Sequence, residues 1–138
     1  MRVTSNGIDF YCYVEGPEDA PWLMFSNSLA TDVSMWDEQA AALKEKFRVF
    51  TYDQRGHGRT EAPEGAYNFD ILAADVIGLM DEISIPHAYF CGLSMGGITA
   101  QALVQKYPDR FDKLIICDCT GASNPAGAAQ WAERIADA

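Results

Sequence analysis

The stretch Gly92-Leu93-Ser94-Met95-Gly96 follows the pattern Gly-x-Ser-x-Gly. The apolar residues 88–91 before it predict a strand, and residues 95–107 predict a helix that ends before Pro108. Between a strand and a helix, the two glycines permit a strained turn that lifts the Ser94 hydroxyl above the edge of the sheet. The pattern in this position predicts a nucleophile elbow, with Ser94 as the nucleophile.

The chain also offers two backbone groups that could stabilise an oxyanion. The helix that starts after Ser94 presents free N–H groups and the positive end of its dipole. An elbow hydrolase takes a second donor from the loop after the strand that precedes its first helix. Here the loop is residues 27–31, after a predicted strand at residues 22–26. The predicted oxyanion donors are therefore the backbone N–H groups of Leu29 and Met95.

Strands and helices alternate along the rest of the chain. Apolar runs and helical periodicity, with Ser34 as the predicted N-cap of the first helix, divide the chain into eight elements. Strands are predicted at residues 8–14, 22–26, 48–52, 88–91 and 113–117, and helices at residues 34–47, 70–84 and 95–107. This order predicts an α/β fold with a mostly parallel sheet flanked by helices.

Length, charge and cysteine usage narrow the class of protein. The chain has 138 residues, enough for one folded core, and its net charge of −10 disfavours nucleic acid and anionic membranes as partners. No apolar run approaches the roughly 18 residues of a membrane span, and the start of the chain is too polar for a signal peptide. The four cysteines predict buried, reduced thiols in a cytoplasmic protein, with no disulfide framework and no metal or cofactor site.

The loop at residues 53–58, Asp53-Gln54-Arg55-Gly56-His57-Gly58, lies where ligand crevices form in open α/β sheets, at the carboxyl end of a predicted strand. A structural role is predicted for it, with its glycines shaping the turn and Asp53 and Arg55 pairing locally.

Four stretches together resemble the α/β-hydrolase superfamily and, more narrowly, the 3-oxoadipate enol-lactonases of the bacterial β-ketoadipate pathway for aromatic degradation. They are Ser26-Asn27-Ser28-Leu29, Met35-Trp36-Asp37, Tyr52-Asp53-Gln54-Arg55-Gly56-His57-Gly58 and Cys91-Gly92-Leu93-Ser94-Met95-Gly96-Gly97. The resemblance implies that Ser94 cleaves a small-molecule ester or lactone by acyl transfer to water, without a cofactor. It also implies that His57 is a loop residue and not the catalytic base.

The chain departs from this family in its histidines. An elbow hydrolase orders its triad as Ser, then Asp or Glu, then His, but this sequence has only His57 and His87, both before Ser94. His87 precedes the elbow strand and should lie at the opposite end of the sheet. Among the acidic residues after Ser94, Asp118 is the candidate acid because it follows a predicted strand.

Family members are longer and continue into a helical cap and further strands. The resemblance therefore implies that residues 1–120 are the N-terminal part of the core and residues 121–138 the start of the cap, with the last strands and most of the cap missing. Trp36, Trp131 and Arg134 are candidate substrate contacts. The acid and histidine would then come from a missing C-terminal part. The segment from Lys113 to Cys117 would be an apolar sheet edge, open to a complementary C-terminal chain or to self-association.

Other functions stay open at this point. A general carboxylesterase or a cofactor-free perhydrolase would use the same elbow, whereas a haloalkane dehalogenase needs an Asp in place of Ser94. The chain could also be a non-catalytic fragment or a ligand-binding module. A glycine-rich turn without chemistry is the simplest alternative, and a phosphate loop is disfavoured because neither phosphate-binding motif is complete.

Overall fold

A computed structural model describes residues 1–121 of the chain, and these residues form a six-stranded sheet in the order β1-β2-β4-β3-β5-β6. The pairs β3–β4, β3–β5 and β5–β6 are parallel, while β1–β2 and β2–β4 are antiparallel. The predicted α/β class with a mostly parallel sheet is confirmed. The strands are β1 Arg2–Ser5, β2 Ile8–Glu15, β3 Trp22–Ser26, β4 Arg48–Tyr52, β5 Ala88–Leu93 and β6 Phe111–Cys117, and the α-helices are α1 Asp37–Leu43, α2 Phe69–Glu82 and α3 Met95–Lys106.

The first strand, β1, is absent from the sequence prediction. It pairs with β2 in an antiparallel hairpin and buries Val3 and Ser5 while Arg2 and Thr4 are exposed. The turn between the two strands is Asn6-Gly7, and both residues have positive φ, at 50° and 79°. Asn-Gly is the residue pair that two-residue hairpins prefer, so this dipeptide was the signal for the missing strand.

Helices cover both faces of the sheet because the strand side chains alternate between them. Met24 points into a core shared with α2 and α3, while its neighbours Leu23 and Phe25 pack in a second cluster with α1. One face of α2 packs into the first core, where Val76, Leu79 and Met80 are buried and Ile83 is partly buried.

The first helix begins differently from its prediction. Asp32, not Ser34, is the cap: its carboxylate accepts a hydrogen bond from the Ser34 backbone N–H at 2.9 Å. A 3-10 turn at Val33–Trp36 follows, and α1 ends at Leu43 rather than at residue 47.

In the described part of the chain, β6 is an edge of the sheet, as predicted. Two of its large apolar side chains are exposed, Ile115 at 57% and Ile116 at 44%. We call this strand, Phe111–Cys117, the β6 edge. Because the outer side of such an edge strand has free backbone N–H and C=O groups, another strand can pair with it.

Two further observations concern the limits of the fold. Within residues 1–121, no helix combines the length and the apolar character needed to cross a bilayer. Trp131, Arg134 and the predicted cap segment lie outside the described residues.

Candidate active site

The turn at Ser94 joins β5 to α3 and has the strained geometry predicted for it. Ser94 has a φ of 52° and a ψ of −108°, a conformation that residues with a side chain rarely adopt. Its backbone N–H donates to the carbonyl of Cys117 at 2.9 Å, and its carbonyl accepts from the N–H of Ile98 at 3.0 Å. The turn is therefore held from both sides, by the last described strand and by the first turn of α3.

The glycines around Ser94 are needed for close backbone contacts. A Cβ on Gly92 would overlap the carbonyl oxygen of Gly96, and a Cβ on Gly96 would overlap the carbonyl oxygen of Ser26. Ser26 is the last residue of β3, so the second contact brings the start of α3 directly against the strand that leads into the predicted oxyanion loop. Only residues without a side chain fit at these two positions.

Leu29 and Met95, the two predicted oxyanion donors, line the same cavity. The cavity has a volume of about 230 Å³. Its walls are Leu29, Arg55, His57, Tyr67, Asn68, Phe69, Leu72 and Met95. The structure thus brings the loop after β3, the loop after β4 and the start of α3 together beside Ser94.

The predicted oxyanion loop, residues 27–31, is held by a chain of hydrogen bonds that sequence reasoning missed. The buried side chain of Gln54 donates from Nε2 to the carbonyl of Asn27 at 2.5 Å. The Asn27 side chain donates from Nδ2 to the carbonyl of Thr31 at 2.8 Å, and the Thr31 hydroxyl donates to the carbonyl of Ser28 at 2.8 Å. The acceptors are all backbone carbonyls, which no sequence motif specifies.

The predicted local pair between Asp53 and Arg55 is wrong. Both carboxylate oxygens of Asp53 accept backbone N–H groups, from Val33 at 2.8 Å and from Arg59 at 2.9 Å. The Asp53 side chain therefore joins the loops after β3 and β4. Arg55 instead pairs with Asp75 on α2, and this hydrogen-bonded pair raises the pKa of the Arg55 guanidinium.

The two histidines have different positions. Nδ1 of His57 lies 3.1 Å from the carbonyl of Arg55, and because a carbonyl only accepts, this nitrogen carries the proton. The ring of His57 also lines the 230 Å³ cavity. His87 precedes β5 and lies 2.7 Å from Asp112 near the start of β6, so it sits at the opposite end of the sheet from Ser94, as predicted.

Trp36 and Asp118 are the other candidate site residues within the described part of the chain. Trp36 is 7% exposed and stacks on Phe25 with ring centroids 4.7 Å apart, so its ring belongs to the core, and its role as a substrate contact stays a prediction. Asp118 follows β6 directly, is exposed and has a φ of 44°. This is the same end of the sheet as Ser94, and its role as the acid stays a prediction.

The thiols of the described residues are free. Burial raises the pKa of the Cys12 and Cys91 thiols to about 12, which keeps them protonated and unreactive near neutral pH. No group of three or more potential metal ligands occurs within residues 1–121.

The chain is similar to known proteins in both sequence and fold. The family described as the alpha/beta hydrolase fold matches residues 21–137. Two curated relatives, 3-oxoadipate enol-lactonases 2 and 1 of Acinetobacter baylyi, are 46% and 51% identical to the chain over 119 and 118 residues. Each alignment covers 86% of this chain but 44% of the relative, so the chain spans less than half the length of these relatives. The crystal structure of the enol-lactonase from Burkholderia xenovorans LB400 has a TM-score of 0.84 at 46% identity, covering 86% of this chain and 46% of that one.

Proposed function

Because this chain belongs to the α/β-hydrolase family, we propose that it carries the nucleophile of a serine hydrolase acting on ester or lactone bonds. The observation that carries the proposal is the Ser94 turn, with a φ of 52° between β5 and α3 and no room for a side chain at Gly92 or Gly96. Such a turn places a serine hydroxyl at the carboxyl end of the sheet, where this family does its chemistry.

The proposed reaction proceeds through an acyl-enzyme. Ser94 Oγ forms a bond to the substrate carbonyl carbon while its proton passes to a base, and the N–H groups of Leu29 and Met95 stabilise the oxyanion. The C–O bond of the ester or lactone then breaks, and the leaving oxygen takes the proton. Water attacks the acyl-enzyme in the same way, which releases the carboxylic acid and restores Ser94.

In the proposal, the histidine comes from outside this chain. The sequence has no histidine after Ser94, and His87 lies at the far end of the sheet. The acid comes from the same missing part or from Asp118, the one candidate within the described residues. Without a base, Ser94 would remain a neutral hydroxyl of low nucleophilicity.

The β6 edge is the proposed place where a complementary C-terminal chain adds to the sheet. A second copy of this chain is the alternative occupant of the same edge.

The proposed substrate is 3-oxoadipate enol-lactone, since two proteins named for that activity are 46% and 51% identical to the chain. Trp36, Trp131 and Arg134 stay candidate contacts for it, and a cytoplasmic location stays part of the proposal. A general carboxylesterase, a cofactor-free perhydrolase and a ligand-binding module without turnover are the alternatives.

The test compares three variants of the protein that contains this chain: wild type, Ser94→Ala, and Ser5→Ala as a control on β1. Hydrolysis of the enol-lactone and of a nitrophenyl ester is measured together with peracid formation from peroxide and acetate. We expect the enol-lactone to be hydrolysed most efficiently, a loss of turnover in Ser94→Ala only, and an acyl-enzyme visible by intact mass. Turnover that survives in Ser94→Ala would contradict the proposal, and normal ester hydrolysis by a homogeneous 138-residue species would contradict the need for an external histidine.

A further inference from the structure

We propose that the Thr31 hydroxyl is a positioning group, which fixes the direction of the Leu29 N–H at the candidate oxyanion site. The inference rests on the proposed function in one respect, because it takes the Leu29 N–H as the group that meets the oxyanion. The chemical effect of Thr31 is indirect, since it acts through the backbone between Ser28 and Leu29.

The inference starts from the planarity of the peptide bond. The carbonyl of Ser28 and the N–H of Leu29 belong to one peptide unit, in which they point in opposite directions. Thr31 Oγ1 donates to the Ser28 carbonyl oxygen at 2.8 Å, so the direction of this carbonyl is fixed. The Leu29 N–H is therefore fixed as well, pointing away from Thr31, and it donates to no acceptor within residues 1–121.

A single hydroxyl proton has two possible acceptors here. The sulfur of Met35 lies 3.1 Å from Thr31 Oγ1, and the same sulfur faces the N–H of Ser28 at 3.4 Å. A thioether is a weak acceptor, whereas a backbone carbonyl is a strong one, so the hydroxyl donates its hydrogen bond to the Ser28 carbonyl. The Met35 sulfur stays in contact with the same hydroxyl.

Thr31 is itself held in place by buried groups. Its carbonyl accepts from Asn27 Nδ2 at 2.8 Å, and the carbonyl of Asn27 accepts from Gln54 Nε2 at 2.5 Å. Asn27 and Gln54 are 0% and 1% exposed, so the bond between them is shielded from water, while the bond to the Thr31 carbonyl is partly buried. A rigid frame therefore extends from the loop after β4 to the Thr31 hydroxyl and ends at the Leu29 N–H.

The backbone conformation of Ala30 also supports a positioning role for Thr31. Ala30 has a φ of 59°, a left-handed conformation that costs free energy in a residue with a side chain. The hydrogen bonds on either side of Ala30 hold it there, because the Ser28 carbonyl and the Thr31 carbonyl are both occupied. Loss of the Thr31 hydroxyl would release the carbonyl on one side and allow the peptide between Ser28 and Leu29 to rotate.

Two substitutions at Thr31 separate a positioning role from a structural one. Thr31→Val keeps the shape of the side chain and removes the hydroxyl, while Thr31→Ser keeps the hydroxyl. Thr4→Val is the matched control, since it removes a hydroxyl that donates to Asp9 on the remote β1–β2 hairpin. We expect kcat to fall about 10- to 100-fold in Thr31→Val with KM changed less than about 3-fold, because a misdirected oxyanion donor costs part of the loss seen on deleting one. Thr31→Ser and Thr4→Val should stay close to the wild-type kcat.

A second measurement does not depend on turnover. The amide resonances of Leu29 are recorded by NMR for the same variants without substrate. We expect the Leu29 amide resonance to shift in Thr31→Val, with little change in Thr31→Ser and with the amides of β3 and β5 unchanged in both. Unchanged Leu29 resonances in Thr31→Val would overturn the inference.

The two measurements distinguish the inference from the proposed function. If the wild type and Ser94→Ala have equal activity, the proposed function fails, and the Leu29 amide alone decides whether Thr31 fixes that N–H. If turnover depends on Ser94 and Thr31→Val keeps the wild-type kcat, the proposed function stands and the role of Thr31 is refuted. A kcat loss shared equally by Thr31→Val and Thr31→Ser would also refute it, because the hydroxyl would then not be the responsible group.

Discussion

Arg55 and Asp75 form a two-point ion pair that joins the loop after β4 to α2, with Nε–Oδ2 and Nη2–Oδ1 distances that are both 2.7 Å. The two side chains are 12% and 3% exposed. Oδ1 of Asp75 also accepts from the Asn6 side chain at 3.3 Å, and Asn6 lies in the β1–β2 turn. Asp75 therefore connects a helix, a hairpin and the wall of the candidate active site.

Removing the charge of Asp75 should destabilise the protein strongly. In Asp75→Asn, the partly buried Arg55 guanidinium loses its counter-charge. Breaking a fully buried pair costs about 3–5 kcal/mol, so for this partly buried pair we expect a loss of about 2–3 kcal/mol. The free energy of unfolding, measured by urea denaturation, should fall by that amount. The double variant Arg55→Met/Asp75→Leu should recover most of the loss because no charge is left unpaired. A change below about 1 kcal/mol in Asp75→Asn would show that the pair is not buried in solution.

The backbone contact between Gly96 and Ser26 predicts a sharp difference between two Gly→Ala substitutions. A Cβ at position 96 would overlap the Ser26 carbonyl oxygen, whereas a Cβ at Gly121 would meet nothing within 4 Å among residues 1–121. Gly96→Ala should therefore lower the free energy of unfolding by about 1–3 kcal/mol, the usual cost of overpacking. Gly121→Ala should stay within about 0.5 kcal/mol of the wild type. Equal values from urea denaturation would mean that α3 shifts to accept the methyl group at no cost.

Asn68 caps α2, the longest helix in the described part of the chain, and can be tested separately. Its side-chain oxygen accepts from the N–H of Ile71 at 2.9 Å at the start of α2. Asn68→Ala should cost about 1 kcal/mol of stability, while Asn68→Asp should cost much less because aspartate also caps a helix. The thermal midpoints of the two variants should therefore differ, with Asn68→Ala the lower. Identical midpoints would indicate that the cap contributes nothing.

The buried thiols predict a loss of stability in alkaline solution. The pKa of Cys12 and of Cys91 is raised to about 12 in the folded protein because burial disfavours the thiolate. In the unfolded chain a thiol ionises near its ordinary pKa of about 8.5. The contribution of the two protonated thiols to the free energy of unfolding is therefore fully present below about pH 8.5, and it is lost as the pH rises towards 12.

The measurement is the free energy of unfolding at several pH values between about 8.5 and 12, the range set by the ordinary and the raised thiol pKa. The double variant Cys12→Ala/Cys91→Ala should be less stable throughout because of the cavities that it creates, but its stability should fall less steeply with pH. Other groups titrate in this range in both proteins, so the difference between the two slopes is the informative quantity. Equal slopes would refute the prediction.

The sequence predicted the parts of the fold and site that depend on local pattern. The elbow at Ser94 follows from glycine spacing between a strand and a helix, and the parallel strands follow from apolar runs. The strand β1 was missed because Arg2–Ser5 is short and half polar, although Asn6-Gly7 marked its turn. Local pattern was sufficient for the elbow and the parallel strands, but not for the hairpin strand β1 or for the start of the first helix.

Other failures concern side-chain partners that no sequence motif specifies. Arg55 was assigned to nearby Asp53, but its partner is Asp75 on a helix that packs against the loop. The roles of Gln54 and Thr31 were missed because both donate to backbone carbonyls of the 27–31 loop, and every residue has a carbonyl. Packing of the loop after β4 against the loop after β3 brings the Asn27 carbonyl within reach of Gln54, and the turn around Ala30 brings the Ser28 carbonyl within reach of Thr31.

The hydrogen bond from the Ser94 N–H to the Cys117 carbonyl has a consequence for the order of events during synthesis. A nascent chain that has emerged from the ribosome only as far as α3 contains the whole Gly-x-Ser-x-Gly stretch but lacks the acceptor for this N–H. The Ser94 turn gains this hydrogen bond only after β6 has emerged and paired with β5. The last support of the Ser94 turn thus depends on completion of this part of the sheet, and a chain that terminates before Cys117 would contain Ser94 without this hydrogen bond.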